Sequence, residues 1–129
     1  MGAAELERLG AEYAAAWCSG DPDAVASFYA KNGSITINRG DPIEGRAAVS
    51  GMAAGFYAEF PDLKVYCDSI RGAGDHAIFV WTLEGHHSET GHHVLIGGWE
   101  EWDLGTDGKV VRSLGWFDAA DYDRQVMGV

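Results

Sequence analysis

The spacing of apolar residues changes once along this chain, at Pro61. Before Pro61, apolar residues recur every three or four positions, which is typical of helices that bury one face. After Pro61, apolar and polar residues alternate, which is typical of strands. Helices followed by a run of strands predict an α+β fold. The length of 129 residues suits a single domain, residues 1–129.

The first half of the chain predicts three helices and one short strand. The apolar stripe of residues 3–19 predicts the first helix, and Asp21-Pro22 is a typical start for a second helix, which buries Tyr29. The β-branched segment 34–38 predicts a strand. A third helix is predicted over residues 46–59, ending shortly before a proline that cannot continue it.

The second half of the chain predicts four strands. They cover residues 63–70, 76–87, 92–104 and 109–117. The segments between them are short and rich in turn-forming residues, which favours hairpins between antiparallel neighbours. We therefore expect a curved antiparallel sheet that wraps around the three N-terminal helices and encloses a pocket.

Charge and motif content exclude several classes of partner. The chain has 20 acidic and 9 basic residues, a formal net charge of −11, which opposes binding to nucleic acid or to an anionic membrane. It has no apolar run of membrane-spanning length and no signal peptide at its N-terminus, so we expect a cytoplasmic protein. It has no P-loop, no dinucleotide-binding glycine motif and no GxSxG motif, so we expect no cofactor.

Several short motifs occur in a recognisable order. They are Trp17-Cys18-Ser19-Gly20-Asp21, Glu44-Gly45-Arg46, Phe60-Pro61-Asp62-Leu63 and Val80-Trp81-Thr82-Leu83-Glu84-Gly85-His86-His87. Their order and spacing resemble the nuclear transport factor 2-like superfamily, and within it the SnoaL-like branch of polyketide cyclases and ketosteroid isomerases. The resemblance covers nearly the whole chain. It implies a cone-shaped curved sheet with an internal pocket, and a homodimer formed through the outer side of the sheet.

Two positions depart from the acid/base residues of that superfamily. The first strand leads into Asn38, where ketosteroid isomerases carry an aspartate base, and asparagine cannot accept a proton. In the last strand, Leu114-Gly115 stands where the resemblance places the aspartate of the cyclases. Neither mechanism therefore transfers directly to this chain.

Three other side chains are candidates for proton transfer. His87 ends the tryptophan-containing strand and, with an unperturbed pKa of about 6.5, suits acid/base work, although it also fits a hydrogen-bonded rim residue. Glu100 and Glu101 lie on opposite faces of a strand. If Glu100 points inward beside Trp102, burial raises its pKa; the alternative is two solvated charges. Asp118 either closes the mouth of the pocket or caps the following turn.

The hairpin after the tryptophan-containing strand is rich in histidine. If residues 88–91 form its loop, His87 lies opposite His92 and His86 opposite His93, so each face offers two nitrogen donors. Two ligands do not make a metal site, and no HxxxH or HExxH helix motif adds support. We therefore predict no metal and interpret these residues as exposed hairpin histidines.

Aromatic residues are frequent, with 5 tryptophans in the chain. Most of them fill the core, but a concave sheet lined with rings also holds flat hydrophobic ligands. Tyr13 and Trp17 lie one helical turn apart and offer O–H and N–H donors to a carbonyl or enolate oxygen. The residues predicted to contact the ligand are Tyr13, Trp17, Asn38, Phe56, Trp81 and Trp102.

These features favour a small cofactor-independent enzyme of the isomerase, cyclase or lyase type. Its substrate is expected to be a small hydrophobic molecule that contains a carbonyl group. Two alternatives remain open. One is a non-catalytic domain that binds a small apolar ligand in the same pocket, in keeping with Asn38 and Gly115 at the positions of the expected acids. The other is a module whose sheet face only dimerises.

Overall fold

The structure is a computed structural model that describes all residues, 1–129. It contains four helices, three of which precede the main run of strands. The helices are α1 (Ala3–Cys18), α2 (Pro22–Ala26), α3 (Arg46–Glu59) and α4 (Ala119–Met127). A bilayer-spanning helix would need greater length and a more apolar composition than any of these four has.

Six strands form one curved sheet that does not close into a barrel. They are β1 (Tyr29–Ile37), β2 (Ile43–Glu44), β3 (Lys64–Ala73), β4 (His76–His86), β5 (His93–Leu104) and β6 (Val110–Phe117). Their order across the sheet is β2-β1-β6-β5-β4-β3. β3 to β6 form the predicted antiparallel meander, whereas β1 pairs with β6 in parallel. The predicted α+β fold is confirmed, with this one parallel junction added to the expected antiparallel sheet.

The second helix is shorter than predicted. Its start is as expected, because the Asp21 side chain accepts a hydrogen bond from the Asp23 amide at 3.0 Å. The helix ends at Ala26, however, and Tyr29 opens β1 instead of lying on a helix. Tyr29 is fully buried in either arrangement, so its apolar spacing did not distinguish a helix from a strand.

β1 is longer than the predicted strand of residues 34–38, because it begins at Tyr29. The pairing of β1 with β6 shifts register between Tyr29 and Ser34, which is the mark of a bulge. Gly33 lies in this bulge, where a Cβ atom would stand 2.6 Å from the Val110 carbonyl oxygen. Glycine therefore permits the close approach that lets the strand continue.

Helix α4 was not predicted from the sequence. It begins at Ala119 and ends before Gly128, which adopts a left-handed conformation with φ of 79°. None of its residues is buried. Its apolar residues Tyr122 and Val126 are four positions apart and pack against the core, but the helix is only 9 residues long, so the pattern is short.

Aromatic rings fill the space between the sheet and α1. Phe79 and Trp102 stack with ring centroids 5.3 Å apart, and Tyr13 meets them edge-on at 5.2 and 5.1 Å. All three side chains are fully buried. Burying one such ring contributes roughly 4–6 kcal/mol from apolar area alone, so these contacts fix α1 on the concave face of the sheet.

A close contact between β4 and β5 shapes the concave face. A Cβ atom on Gly98 would overlap the ring of Trp81 and the carbonyl oxygen of Trp116. Glycine at this position therefore allows the Trp81 ring to lie across β5. The neighbouring Gly97 has no such constraint, because the nearest atom to a Cβ there is the Trp81 carbonyl oxygen at 3.7 Å.

We predict that Gly98→Ala lowers the free energy of unfolding by about 1–3 kcal/mol, because the Trp81 ring must move away from the added methyl group. Gly97→Ala is the matched control and should leave stability unchanged or raise it by about 0.4–1 kcal/mol through the unfolded state. Urea unfolding followed by tryptophan fluorescence measures both. Equal stability of the two variants would contradict the placement of Trp81 across β5.

Candidate functional site

A cavity of about 60 Å³ lies between the concave face of the sheet and the helices. Of its 15 lining residues, 13 are hydrophobic. Rings contribute from several elements, including Trp17 of α1, Phe56 of α3, Trp81 of β4 and Tyr122 of α4. We call this space the aromatic cavity. Its lining favours an apolar ligand with few polar groups.

One carboxyl group lines the aromatic cavity, that of Glu100. Inward and outward residues alternate along β5, and Glu100 is only 6% exposed. Glu101 points to the other side of the sheet, where it accepts hydrogen bonds from the indole N–H groups of Trp99 and Trp116. The strand therefore separates two consecutive glutamates into a buried one and a partly exposed one, which is one of the two arrangements that the sequence left open.

Four side chains surround the Glu100 carboxyl group with donors. The Ser113 hydroxyl donates to Oε1 at 2.7 Å and the Trp102 indole N–H at 3.0 Å. The Tyr29 hydroxyl donates to Oε1 at 3.2 Å, and the Tyr13 hydroxyl lies 3.2 Å from both carboxyl oxygens. These donors come from α1, β1, β5 and β6, so Glu100 joins four elements of the fold.

The two oxygens of Glu100 are not equivalent. All four donors lie within hydrogen-bond distance of Oε1, whereas Oε2 has one neighbour, the Tyr13 hydroxyl, which it shares with Oε1. Oε1 has no capacity left for a further partner. Oε2 is therefore the oxygen with room for a proton or for a ligand.

Burial controls the protonation of this cluster. It raises the pKa of Glu100 above 4.5, and the hydrogen bonds from Trp102, Ser113, Tyr29 and Tyr13 offset that rise only in part. Burial, and then the nearby Glu100 charge, raise the pKa values of Tyr13 and Tyr29 well above 10. Both phenols therefore stay protonated as donors, and Glu100 holds its proton to a higher pH than an exposed glutamate does.

Three of the six predicted ligand contacts line the aromatic cavity, namely Trp17, Phe56 and Trp81. Tyr13 and Trp102 do not line it. They lie behind it with no exposed surface, and their polar atoms are directed to Glu100. Sequence spacing did not reveal which rings form the surface of the cavity and which ones form the layer beneath it.

Asn38 is also absent from the cavity lining. Its side-chain oxygen accepts a hydrogen bond from the Phe117 backbone amide at 2.9 Å, and its backbone amide donates to the Gly115 carbonyl oxygen at 2.8 Å. Its φ of 49° is left-handed, which asparagine tolerates better than most residues. Asn38 thus joins the ends of β1 and β6, in contrast to the predicted ligand contact.

His87 lies outside the aromatic cavity as well. Its ring meets Phe60 edge-on at 5.5 Å, and its Nε2 atom is 4.0 Å from a carboxylate oxygen of Glu59 at the end of α3. The side chain is 10% exposed. This position fits the rim alternative, and no contact connects His87 with Glu100.

Asp118 is exposed and does not line the cavity. Its side chain accepts a hydrogen bond from the Asp121 amide at 3.1 Å and so caps α4. The capping alternative therefore describes its position, and no acid/base role follows from its surroundings.

The histidine-rich hairpin has the predicted pairing, with His86 opposite His93. Each ring bonds to a carboxylate, His86 to Asp62 at 2.7 Å and His93 to Glu84 at 2.9 Å. No group of three or more His, Cys, Asp or Glu side chains in the chain has the geometry to hold a metal ion. These histidines form surface pairs with acids.

Sequence reasoning missed three residues of the site. Tyr29 and Ser113 donate to Glu100, and Tyr122 lines the aromatic cavity from α4. Ser113 is fully buried, and a small hydroxyl residue on an inward strand position was the only signal for it. Tyr29 and Tyr122 lie where the element boundaries were predicted incorrectly or not at all.

We predict that Glu100 makes the free energy of unfolding decline as pH rises above 4.5, the ordinary pKa of a glutamate. Within that range the folded state retains a proton that the unfolded state has lost, so the free energy of unfolding declines by up to about 1.4 kcal/mol per pH unit. The decline ends at the raised pKa of the folded state, and below the ordinary value Glu100 contributes no slope. Glu100→Gln should remove this component.

Urea unfolding of wild type and Glu100→Gln between pH 5 and 8 isolates the component as the difference between the two curves. Glu101→Gln is the control, since it makes the same chemical change on the opposite face of β5 and should follow the wild-type slope. Parallel curves for wild type and Glu100→Gln would contradict the raised pKa.

The fold is similar to solved structures of low sequence identity. A protein with a ketosteroid isomerase-like fold from Catenulispora acidiphila, in complex with trimethylamine, has a TM-score of 0.83 and 20% identity over 90% of this chain and 89% of that chain. A protein assigned as a SnoaL-like polyketide cyclase from Jannaschia sp. CCS1 has a TM-score of 0.82 and 16% identity over 98% and 92%. SalBIII, an epoxide hydrolase/cyclase-like enzyme of pyran ring formation in the polyether salinomycin, has a TM-score of 0.80 and 19% identity over 92% and 94%.

At these identities the structural likeness establishes the fold alone. No curated protein matches the sequence. The family model of the SnoaL-like domain matches residues 11–113, which is 103 of the 129 residues and includes Tyr13, Trp81 and Glu100. The chain therefore belongs to the SnoaL-like domain family of the nuclear transport factor 2-like superfamily.

Proposed function

We propose that this protein is a cofactor-independent isomerase or cyclase that acts on a small hydrophobic molecule with a carbonyl group. The observation that carries the proposal is the carboxyl group of Glu100, the one carboxyl group that lines the aromatic cavity. A carboxyl group held in apolar surroundings has a pKa closer to neutral pH, which suits it to giving and taking protons.

Glu100 alone is sufficient for a proton transposition. Its ionised form takes a proton at Oε2 from a carbon next to the substrate carbonyl, so a C–H bond breaks and an enolate forms. The same carboxyl group then returns the proton to another carbon, which restores the carboxylate. Trp17, which lines the cavity, is the N–H donor that we assign to the enolate oxygen.

The fold family supports a reaction of this class. The matching domain family and the structural neighbours include a polyketide cyclase, a ketosteroid isomerase-like fold and an epoxide hydrolase/cyclase-like enzyme. Such reactions share the movement of a proton on or off an oxygen-bearing substrate. The identity of the ketone is a matter for experiment, because one fold serves many substrates.

A second candidate is non-catalytic binding of a small alkylammonium ion. Aromatic rings around one carboxylate attract a cation, and the net charge of −11 attracts it to the protein. One structural neighbour is in complex with trimethylamine. In this alternative Glu100 is ionised and remains so, whereas the isomerase proposal needs both of its protonation states.

We predict that the protein catalyses exchange of the α-hydrogens of small cyclic ketones, or shift of the double bond in their β,γ-unsaturated analogues. Proton NMR in D₂O measures both reactions. Glu100→Gln should lower kcat by about 10²–10⁴-fold, because an amide cannot take the proton. Glu101→Gln should retain wild-type activity.

The two candidates give different results in this assay. Activity that survives Glu100→Gln would contradict the proposed mechanism. Absence of turnover, together with trimethylamine binding that strengthens as pH rises and is lost in Glu100→Gln, would support the binding candidate. Circular dichroism spectra of each variant verify that the fold is retained.

We also propose that two copies pair through the convex face of the sheet. Ile78, Leu95 and Trp99 lie on this side and are 39%, 50% and 43% exposed. Trp99 stacks on Trp116, and both indoles bond to Glu101. Large exposed apolar residues on neighbouring strands of one face support burial against a second copy.

We predict that the protein is a dimer in solution and that Trp99→Glu makes it a monomer, because the interface would bury an unpaired charge. Val129→Glu is the control, since it adds the same charge at a residue that is 88% exposed and is not one of the three apolar residues named above. Light scattering after size-exclusion chromatography gives the mass. A wild-type monomer at high micromolar concentration would contradict the proposal.

A further inference from the structure

The aromatic cavity is small for the ligand that its lining favours. Its volume of about 60 Å³ is less than half of the roughly 150 Å³ engineered cavity that holds one benzene molecule. A ligand with one or two rings can therefore be enclosed completely only if a wall of the cavity moves. This step rests on the proposed role of the cavity as a small-molecule site.

The walls differ in how firmly they are held. The strands β4, β5 and β6 are bonded to neighbours, and α1 and α3 both bury residues in the core. Helix α4 also contributes to the wall, through Tyr122, but none of its residues is buried. Elements with few buried contacts open at the lowest free energy, so α4 is the wall that yields first.

Two side-chain hydrogen bonds attach α4 to the rest of the domain. The side-chain oxygen of Gln125, Oε1, accepts a hydrogen bond from the Leu95 backbone amide of β5 at 2.6 Å. The Tyr122 hydroxyl donates to Glu59 of α3 at 3.1 Å, and its ring packs 5.7 Å from Phe117. The pairing of β5 with β6 begins at Gly98, so the Leu95 amide has no partner on β6. The Gln125 side chain accepts the hydrogen bond that a strand would otherwise accept there.

We propose that α4 is a movable wall that admits ligands to the aromatic cavity, with Tyr122 and Gln125 as its latches. When either latch opens, the helix swings on the turn at Asp118 and the cavity gains the space that the Tyr122 ring occupied. The size of the side chain at position 122 then sets which ligands fit. The placement of Tyr122 at both the latch and the lining couples entry to selectivity.

The first test measures opening without any ligand, by hydrogen exchange with mass spectrometry. In wild type, the amides of α4 should exchange at least about tenfold faster than those of β4 and β5. Gln125→Ala should speed α4 exchange by a further factor of about ten, because one latch is lost, and should leave β4 unchanged. Arg124→Ala is the control, since the Arg124 side chain bonds only to Asp121 within the same helix.

The second test uses phenol and 2-naphthol as neutral probes, with binding followed by tryptophan fluorescence in a stopped-flow instrument. Gln125→Ala and Tyr122→Phe should raise the association and dissociation rate constants together, by about three- to tenfold, with little change in Kd. Tyr122→Ala should favour 2-naphthol over phenol by about tenfold, because it enlarges the cavity.

The outcomes separate this inference from the proposed function. α4 amides that exchange as slowly as those of β4 and β5 would overturn the movable wall, whether or not any probe binds. Association and dissociation rate constants in Gln125→Ala that equal those of wild type would overturn it as well. Loss of ketone turnover in Glu100→Gln tests the chemistry and leaves both of these readouts unaffected.

Discussion

The structure depends on how one carboxyl group is accommodated in an apolar interior. An isolated buried carboxylate costs several kcal/mol, so it must either be protonated or be given donors. Glu100 is stabilised in both ways. Its pKa is raised, and it accepts hydrogen bonds from Ser113, Trp102, Tyr29 and Tyr13. Since these donors belong to α1, β1, β5 and β6, the same requirement that stabilises the carboxyl group also holds the helix layer to the sheet.

The aromatic residues divide into two layers around this group. Tyr13 and Trp102 form a closed layer behind Glu100, and Phe79, which stacks on Trp102 and meets Tyr13 edge-on, reaches from this layer to the cavity lining. Trp17 and Trp81 belong to the layer in front, where their rings border open space. The four donors occupy Oε1, and Oε2 keeps room for a further partner. Rigidity behind a group and space in front of it are what a binding or catalytic site requires.

Much of this arrangement could be predicted from the sequence. Strand alternation separated Glu100 from Glu101, and the period change at Pro61 gave the α+β order. Residues whose position depends on tertiary contacts were harder to place from the sequence. Tyr29 is buried in a helix or in a strand alike, and Asn38 is fixed by its bond to the Phe117 amide. Helix α4 is only 9 residues long, so the spacing of Tyr122 and Val126, which pack against the core, is a short pattern. Spacing identifies which face is apolar, but not which apolar residues border a void.

The parallel pairing of β1 with β6 has a consequence for how the chain acquires its structure. Thr36 finds its partner at Leu114, and Tyr29 and Ser113 reach Glu100 only when the first and last strands are in place. A sheet closed by contacts between distant parts of the sequence folds slowly, on the order of milliseconds to seconds, because the intervening chain must be ordered first. During synthesis on the ribosome, Glu100 therefore lacks the Ser113 donor until β6 has emerged, and completion of its hydrogen bonds is among the last events of folding.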